Sequence, residues 1–182
     1  IPHIYFKDYK KSLINVREKD EQIKISNELN NIENAIKITK TRVYSLYELI
    51  KSRFIEMFGD PLLNEKGFCT KPLSEACPFN KYKGEVECLN GKYWILNLDM
   101  IESNTGKIIE KVYMPLNEIG NSIIKFDTNC VLYSKLRPYL NKVVTPDTSG
   151  YGTSELICMQ TGKDVNQLYL ASLLRMNSFV EY

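Results

Sequence analysis

The chain has 182 residues, enough for one domain and an added element, and a formal net charge of +2. The signs nearly balance in residues 1–60 (11 basic, 9 acidic) and balance in 61–182 (13 of each), which excludes a chain that works through bulk basic charge and leaves only a local patch for any polyanion. Five cysteines without a Cys-x-x-Cys pair, and His3 as the only histidine, argue against a disulfide framework and the usual zinc sites, while no apolar run approaches the ~18 residues of a membrane span.

Residues 1–15 mix aromatic and basic side chains (His3, Tyr5, Phe6, Lys7, Tyr9, Lys10, Lys11) without a period, and read as a leader arriving from an upstream region. The longest regular stretch follows, residues 18–58, with neither Gly nor Pro inside it. One heptad set is Gln22, Leu29, Ile36, Val43, Ile50 and Met57; the set three residues later is Ile25, Ile32, Thr39, Leu46 and Arg53. This 3-4 alternation predicts a coiled-coil-type helix whose pairing seam is Ile25, Leu29, Ile32, Ile36, Val43, Leu46 and Ile50. Charged residues lie between the seam positions, so the apolar stripe is narrow and implies a partner helix. The other reading, a helix packed on its own domain, fits poorly with this length. The helix should open near Arg17 and Glu18, where acids complement its dipole. It should close at Met57-Phe58-Gly59-Asp60-Pro61, with Gly59 left-handed and Pro61 barring continuation.

Beyond Pro61 the pattern changes to short runs divided by Gly, Asn and Pro. Strands are expected over 93–98, 123–126, 130–133, 141–144 and 155–159. Turns are expected at Asn104-Thr105-Gly106 and at Gly150-Tyr151-Gly152. A second helix is expected over 165–176, with Asp164 as N-cap, Gln167 completing a capping box, and Val165, Leu168, Leu170, Ala171, Leu173 and Leu174 on its apolar face. Together these predict an α+β fold, a long helix followed by a mixed or mostly antiparallel sheet. No closing element is evident at Phe179-Val180-Glu181-Tyr182.

Two catalytic sites fail on residue type. A P-D…(D/E)-x-K nuclease would need Lys where Pro146-Asp147…Glu155-Leu156-Ile157 has Ile. An adenine methyltransferase would need a Gly-rich cofactor loop and an Asn/Asp-Pro-Pro-aromatic motif, and neither is present. No cofactor is expected. What stands out is Ser134-Lys135-Leu136-Arg137-Pro138-Tyr139-Leu140-Asn141-Lys142, because residues 123–145 hold four Lys/Arg and one acid. Arg can take a guanine edge bidentately and Asn an adenine, while Ser, Lys and Tyr can hold phosphates. Thr153 and Ser154 offer further hydroxyls, and Lys81, Lys83 and Lys92 around Tyr82 and Tyr93 could extend the surface. A solvated turn with ordinary surface lysines is the alternative for the loop, and half-buried core the alternative for the tyrosines.

The segment 132–142, then Gly152-Thr153-Ser154-Glu155-Leu156, then Leu168-Tyr169-Leu170 with Leu173-Leu174, resembles a target recognition domain of the specificity subunit of type I restriction-modification enzymes. Asp20-Glu21-Gln22-Ile23-Lys24-Ile25 and the helix ending in Phe54-Ile55-Glu56-Met57-Phe58-Gly59-Asp60-Pro61 look like the spacer helix of that family. The resemblance implies a leader (1–15), a spacer helix (16–59) and a recognition domain (60–182) incomplete at its C-terminus. It implies sequence-specific reading of one half of a bipartite double-stranded DNA target. Ser134, Lys135, Arg137, Tyr139, Asn141 and Lys142 would lie against DNA, with Thr153 and Ser154 nearby. Methylation and restriction subunits would be partners, with a second spacer helix in cis or from another copy. The chain would itself catalyse nothing, would have no membrane association, and would work in the cytoplasm of a bacterium or archaeon. The competing reading is a stand-alone interaction or regulatory protein that dimerises through the helix.

Overall fold

The computed structural model describes residues 5–180, so His3 with the rest of residues 1–4, and Glu181 and Tyr182, lie outside the described residues. The chain divides into two compact units, one ending at Leu49 and one beginning at Ile50. The first holds the single-turn helix α1 (Phe6–Tyr9) and most of α2 (Lys19–Phe58), one helix of 40 residues. The helix opens within two residues of the expected point, with Asp20 and Glu21 in its first turn and Arg17 paired to Glu21 at 2.6 Å. The seam residues are all exposed, from 42% at Ile25 to 60% at Leu46. Among the described residues α2 buries only Phe54.

The second unit begins with the end of α2. Gly59 takes φ +76 and donates its N–H to Ile55 O at 2.7 Å, the left-handed termination that the Gly-Asp-Pro sequence predicts. The Lys66 ammonium donates to Glu56 O and Met57 O, placing a cation on the orphan carbonyls at the negative helix end. The Asp60 carboxylate accepts from Leu62 N and Leu63 N, and the Leu62 bond chiefly lowers its pKa from 3.8. Beyond it lies a short helix, α3 (Leu73–Ala76).

Two sheets form the body of this unit, making the fold α+β with a mixed sheet. The strands are β1 (Cys88–Leu89), β2 (Lys92–Leu96), β3 (Val112–Met114), β4 (Ile123–Phe126), β5 (Cys130–Ser134), β6 (Val143–Val144), β7 (Gly150–Thr153) and β8 (Leu156–Gln160). In the five-stranded sheet the order is β1-β2-β7-β4, with β3 also on β2; the smaller sheet runs β6-β5-β8. The β2–β7 pair is parallel, and the other strand pairs are antiparallel. β5 is buried on both faces. Its Cys130 and Leu132 join Trp94, Leu96, Phe126, Leu156 and Cys158 in one core, while Val131 turns to the other side with Val143, Met159 and Leu170, the period-2 consequence of a covered sheet.

Three expectations need correction. Gly150-Tyr151-Gly152 is not a turn but strand β7, between β2 and β4. The glycines serve close approach: a Cβ at Gly150 would lie 2.7 Å from Phe126 Cζ, and one at Gly152 would lie 3.2 Å from Leu156 Cδ1. The second helix, α4, is shorter than expected and spans Gln167–Leu174. Its N-cap is Asn166, whose Oδ1 accepts from Leu168 N and Tyr169 N at 2.9 and 3.1 Å, the reach a cap requires. Gln167 completes no capping box there: its Nε2 donates to Thr128 O and Cys130 O at 2.8 and 2.7 Å, tying the helix to β5. Leu168 is therefore exposed, and Leu170, Ala171 and Leu174 face the core. Finally, β2 stops at Leu96, and Leu98–Met100 is a 3-10 turn. A last single turn, α5 (Asn177–Val180), follows α4.

Phe54 and Phe58 of α2 pack on Tyr169 of α4, with ring centroids 5.5 and 5.0 Å apart. This aromatic cluster anchors the last turns of α2 to the module.

Replacing Gly150 by Ala should destabilise the chain by about 1–3 kcal/mol through overpacking. Urea unfolding measures this, and an unchanged midpoint would contradict the buried-strand position of β7.

Candidate nucleic-acid interface

The segment between β5 and β6 leaves the sheet at Ser134 and returns at Val143. Its shape comes from two residues in the left-handed region, Arg137 (φ 51, ψ 67) and Asn141 (φ 46, ψ 52), on either side of a 3-10 turn, Pro138–Leu140. Asn is among the few non-glycine residues that visit this conformation routinely, whereas for Arg it costs roughly 1–2 kcal/mol. Pro138 contributes, since a residue before proline is disfavoured in the right-handed helical region.

The residues expected at a DNA surface divide into two groups. Lys135, Arg137 and Tyr139 are exposed, Tyr139 at 69%, with Leu136 between them at 49%. Ser134, Asn141 and Lys142 instead bond inside the module. Ser134 is buried, donating Oγ to Leu136 O at 2.8 Å and its N–H to Lys142 O at 3.1 Å. Asn141 is buried and donates Nδ2 to Arg175 O at 3.1 Å; its Oδ1 has no hydrogen-bond partner among the described residues. Lys142 donates Nζ to Leu98 O at 2.6 Å. They form the loop's inner scaffold, and the cations on offer are Lys135 and Arg137.

Thr153 and Ser154 are brought to the same place. Lys135 N donates to Glu155 O at 2.9 Å, continuing the β5–β8 ladder into the turn between β7 and β8. Ser154 N donates to Ser122 O at 3.0 Å, and the two hydroxyls lie 2.6 Å apart. The supporting bonds of Ser122, Leu98, Arg175 and Asn104, the last from its N–H to Leu140 O, are not readable from the sequence, because each joins a partner more than thirty residues away. Lys81, Lys83 and Lys92 are exposed, while Tyr82 and Tyr93 are half-buried, Tyr93 edge-on to Tyr151 with centroids 5.6 Å apart.

Asp147, Cys130 and Cys158 are occupied. Asp147 is held by Lys111 at 2.6 Å, and the same ammonium lies 4.8 Å from the Trp94 ring centroid. The buried Cys130 and Cys158 thiols lie 2.7 Å apart, and the hydrogen bond between them, then burial, pushes the Cys130 pKa far up, away from thiolate chemistry. Among the described residues no group of three or more His, Cys, Asp or Glu is placed to hold a metal ion, and no helix is long and apolar enough to cross a membrane. A separate cavity of about 380 Å³, lined by Phe54, Phe58, Leu73, Tyr169, Leu173 and Phe179 among others, lies at the end of α2.

No protein-family model matches the chain, and no curated protein matches it. Solved structures do match. The HsdS subunit from Thermoanaerobacter tengcongensis is 17% identical over 57% of this chain and 29% of that one, with a TM-score of 0.42. A chain solved for the structural basis of complex assembly and conformational transition of the type I R-M system is 13% identical over 96% of this chain and 46% of that one, with a TM-score of 0.46. The chain thus spans less than half the length of either. The likeness is distant.

If the left-handed Arg137 is held by its surroundings and contributes nothing to them, Arg137→Gly should leave stability unchanged or raise it, by no more than about 1 kcal/mol. Thermal and urea unfolding would reveal the opposite, a clear loss, if the guanidinium were structural.

Proposed function

We propose that this chain reads double-stranded DNA as part of the specificity subunit of a type I restriction-modification enzyme, and contributes one half of a bipartite target. The observation that carries the reading is Arg137: an exposed guanidinium on a strained, left-handed backbone, between exposed Lys135 and Tyr139, on a loop bonded to the module at both ends. Strain of this kind persists where the surroundings over-determine it, commonly at binding sites. A planar donor so fixed suits a guanine edge, and Lys135, Tyr139 and the hydroxyls of Thr153 and Ser154 suit phosphates. Ser134, Asn141 and Lys142 hold the loop from within. Residues 60–182 are the recognition domain in this reading, residues 16–59 the spacer, and residues 1–15 a leader from an upstream part. Methylation and restriction subunits supply the chemistry, and the protein works in the cytoplasm of a bacterium or archaeon.

The spacer pairs through its seam with a second such helix, in cis or from another copy. The exposed row from Ile25 to Ile50 supports this, because an apolar stripe along an isolated helix leaves its stability to a partner. The same row also suits a regulatory protein that only dimerises.

Selection from a random duplex pool separates the two readings. The chain should enrich a short motif, and Arg137→Ala should erase it at a cost of about 1–3 kcal/mol in affinity. Self-association without any enriched motif would favour the regulatory protein. Ile36→Asp places an unpaired charge in the seam, where burial is strongly unfavourable. It should abolish helix-mediated association in sedimentation; unaltered association would count against the pairing.

A further inference from the structure

Distant segments of the chain meet at the inner end of the loop, and Arg175 joins them. It follows the last turn of α4. Its Nη2 donates to Val143 O at 2.6 Å, and its carbonyl accepts from Asn141 Nδ2 at 3.1 Å. One residue therefore grips the returning chain twice, by side chain and by main chain. The 98–107 segment adds two bonds beside it, Asn104 N to Leu140 O at 3.0 Å and Lys142 Nζ to Leu98 O at 2.6 Å. Gly106, at φ +67, leaves the guanidinium its space: a Cβ there would lie 1.7 Å from Val143 O and 2.6 Å from Arg175 Nη2.

This grip matters because of what lies beyond it. The loop is fixed at its outgoing end by Ser134, through Lys142 O and Leu136 O. At its returning end the fixed point is Asn141, whose left-handed backbone closes the 3-10 turn through its N–H to Pro138 O at 2.8 Å. If Asn141 slipped to an extended conformation, the turn would open and Arg137 could relax from its strained state. The direction in which Arg137 and Tyr139 leave the module therefore depends on Asn141, whose amide is held by the Arg175 main-chain carbonyl, and that carbonyl is kept in place by the Arg175 guanidinium through its bond to Val143 O, two residues beyond Asn141.

We infer that Arg175 is a positioning residue for DNA reading: without touching DNA, its guanidinium ties the end of α4 to Val143, which keeps the Arg175 carbonyl on Asn141 and so presents the Arg137 and Tyr139 side chains. This rests on the reading that the 134–142 loop meets DNA.

Arg175→Met, Arg137→Ala and the double variant of the 182-residue chain would be compared. Each is titrated with a mixed-sequence duplex over a range of salt concentrations, and amide exchange is measured without DNA. Arg175→Met should expose the Leu140 and Asn141 amides to faster exchange while β5 and β8 stay protected. Its affinity should fall about tenfold and its salt dependence should become shallower, as when one cationic contact is lost. The double variant should lose less affinity than the two single losses added together, because Arg175 acts partly through Arg137. If Arg137→Ala binds like the parent chain, the DNA role of the loop falls. If Arg137→Ala is weakened while Arg175→Met is not, or the two losses add, the DNA role stands and the positioning role is wrong. Should Arg175→Met not fold, Arg175→Lys serves: a lysine cannot reproduce the planar fork, and unchanged exchange and binding in a folded Arg175→Lys chain would overturn the inference.

Discussion

The module depends on two missing side chains. β7 lies between β2 and β4 where Gly150 presents hydrogen and a Cβ would strike Phe126, and where a Cβ at Gly152 would press tightly on Leu156. Phe126 in turn fills the core against Trp94, edge to face, with centroids 5.1 Å apart. From β7 the chain makes one turn into β8, and β8 pairs with β5 along its whole length. Both surfaces of the candidate site, the turn at 153–155 and the loop that leaves β5, are thereby placed by the packing of a glycine strand. A side chain at Gly150 would displace Phe126 and disturb both together.

The loop itself shows how a small domain makes a rigid edge from polar material. A left-handed arginine costs roughly 1–2 kcal/mol, and a buried Asn141 oxygen without a partner among the described residues adds a desolvation cost of about 1–3 kcal/mol. Against these stand the side-chain bonds of Ser134, Asn141, Lys142 and Arg175, each worth about 0.5–1.5 kcal/mol net. The sums are comparable, so the loop is held at little net gain in stability. Such a balance fits a feature retained for what it presents, and it divides the polar residues into those that fix the shape and those left facing outward.

Much of this was legible in the sequence, for physical reasons that differ by element. The heptad seam and the Gly-Asp-Pro stop announced α2 and its end almost to the residue, because helix periodicity and termination are local. β4, β5 and β8 were visible as apolar runs. β7 was not, since glycine carries no hydrophobic signal and its use there depends on Phe126 and Leu156 from other strands. The α4 cap was misplaced because Asp164 and Asn166 are both competent caps, and the bonds of Gln167 to β5 are tertiary. At the site, the cluster of Lys, Arg and Tyr was readable as a patch. That Asn141 and Lys142 turn inward was not, because the groups that hold them, Arg175 O and Leu98 O, are brought there by the fold.

The central claim is that the outward face of the 134–142 loop, with the turn at 153–155, is where this chain meets DNA. Mapping amide chemical-shift changes on the chain as a mixed-sequence DNA duplex is titrated in tests it most directly. The account predicts changes concentrated at Lys135, Leu136, Arg137, Tyr139, Thr153 and Ser154, with the residues around the Phe54 and Tyr169 cavity silent. Changes centred on that cavity, or spread over the exposed lysines with the loop unmoved, would contradict it.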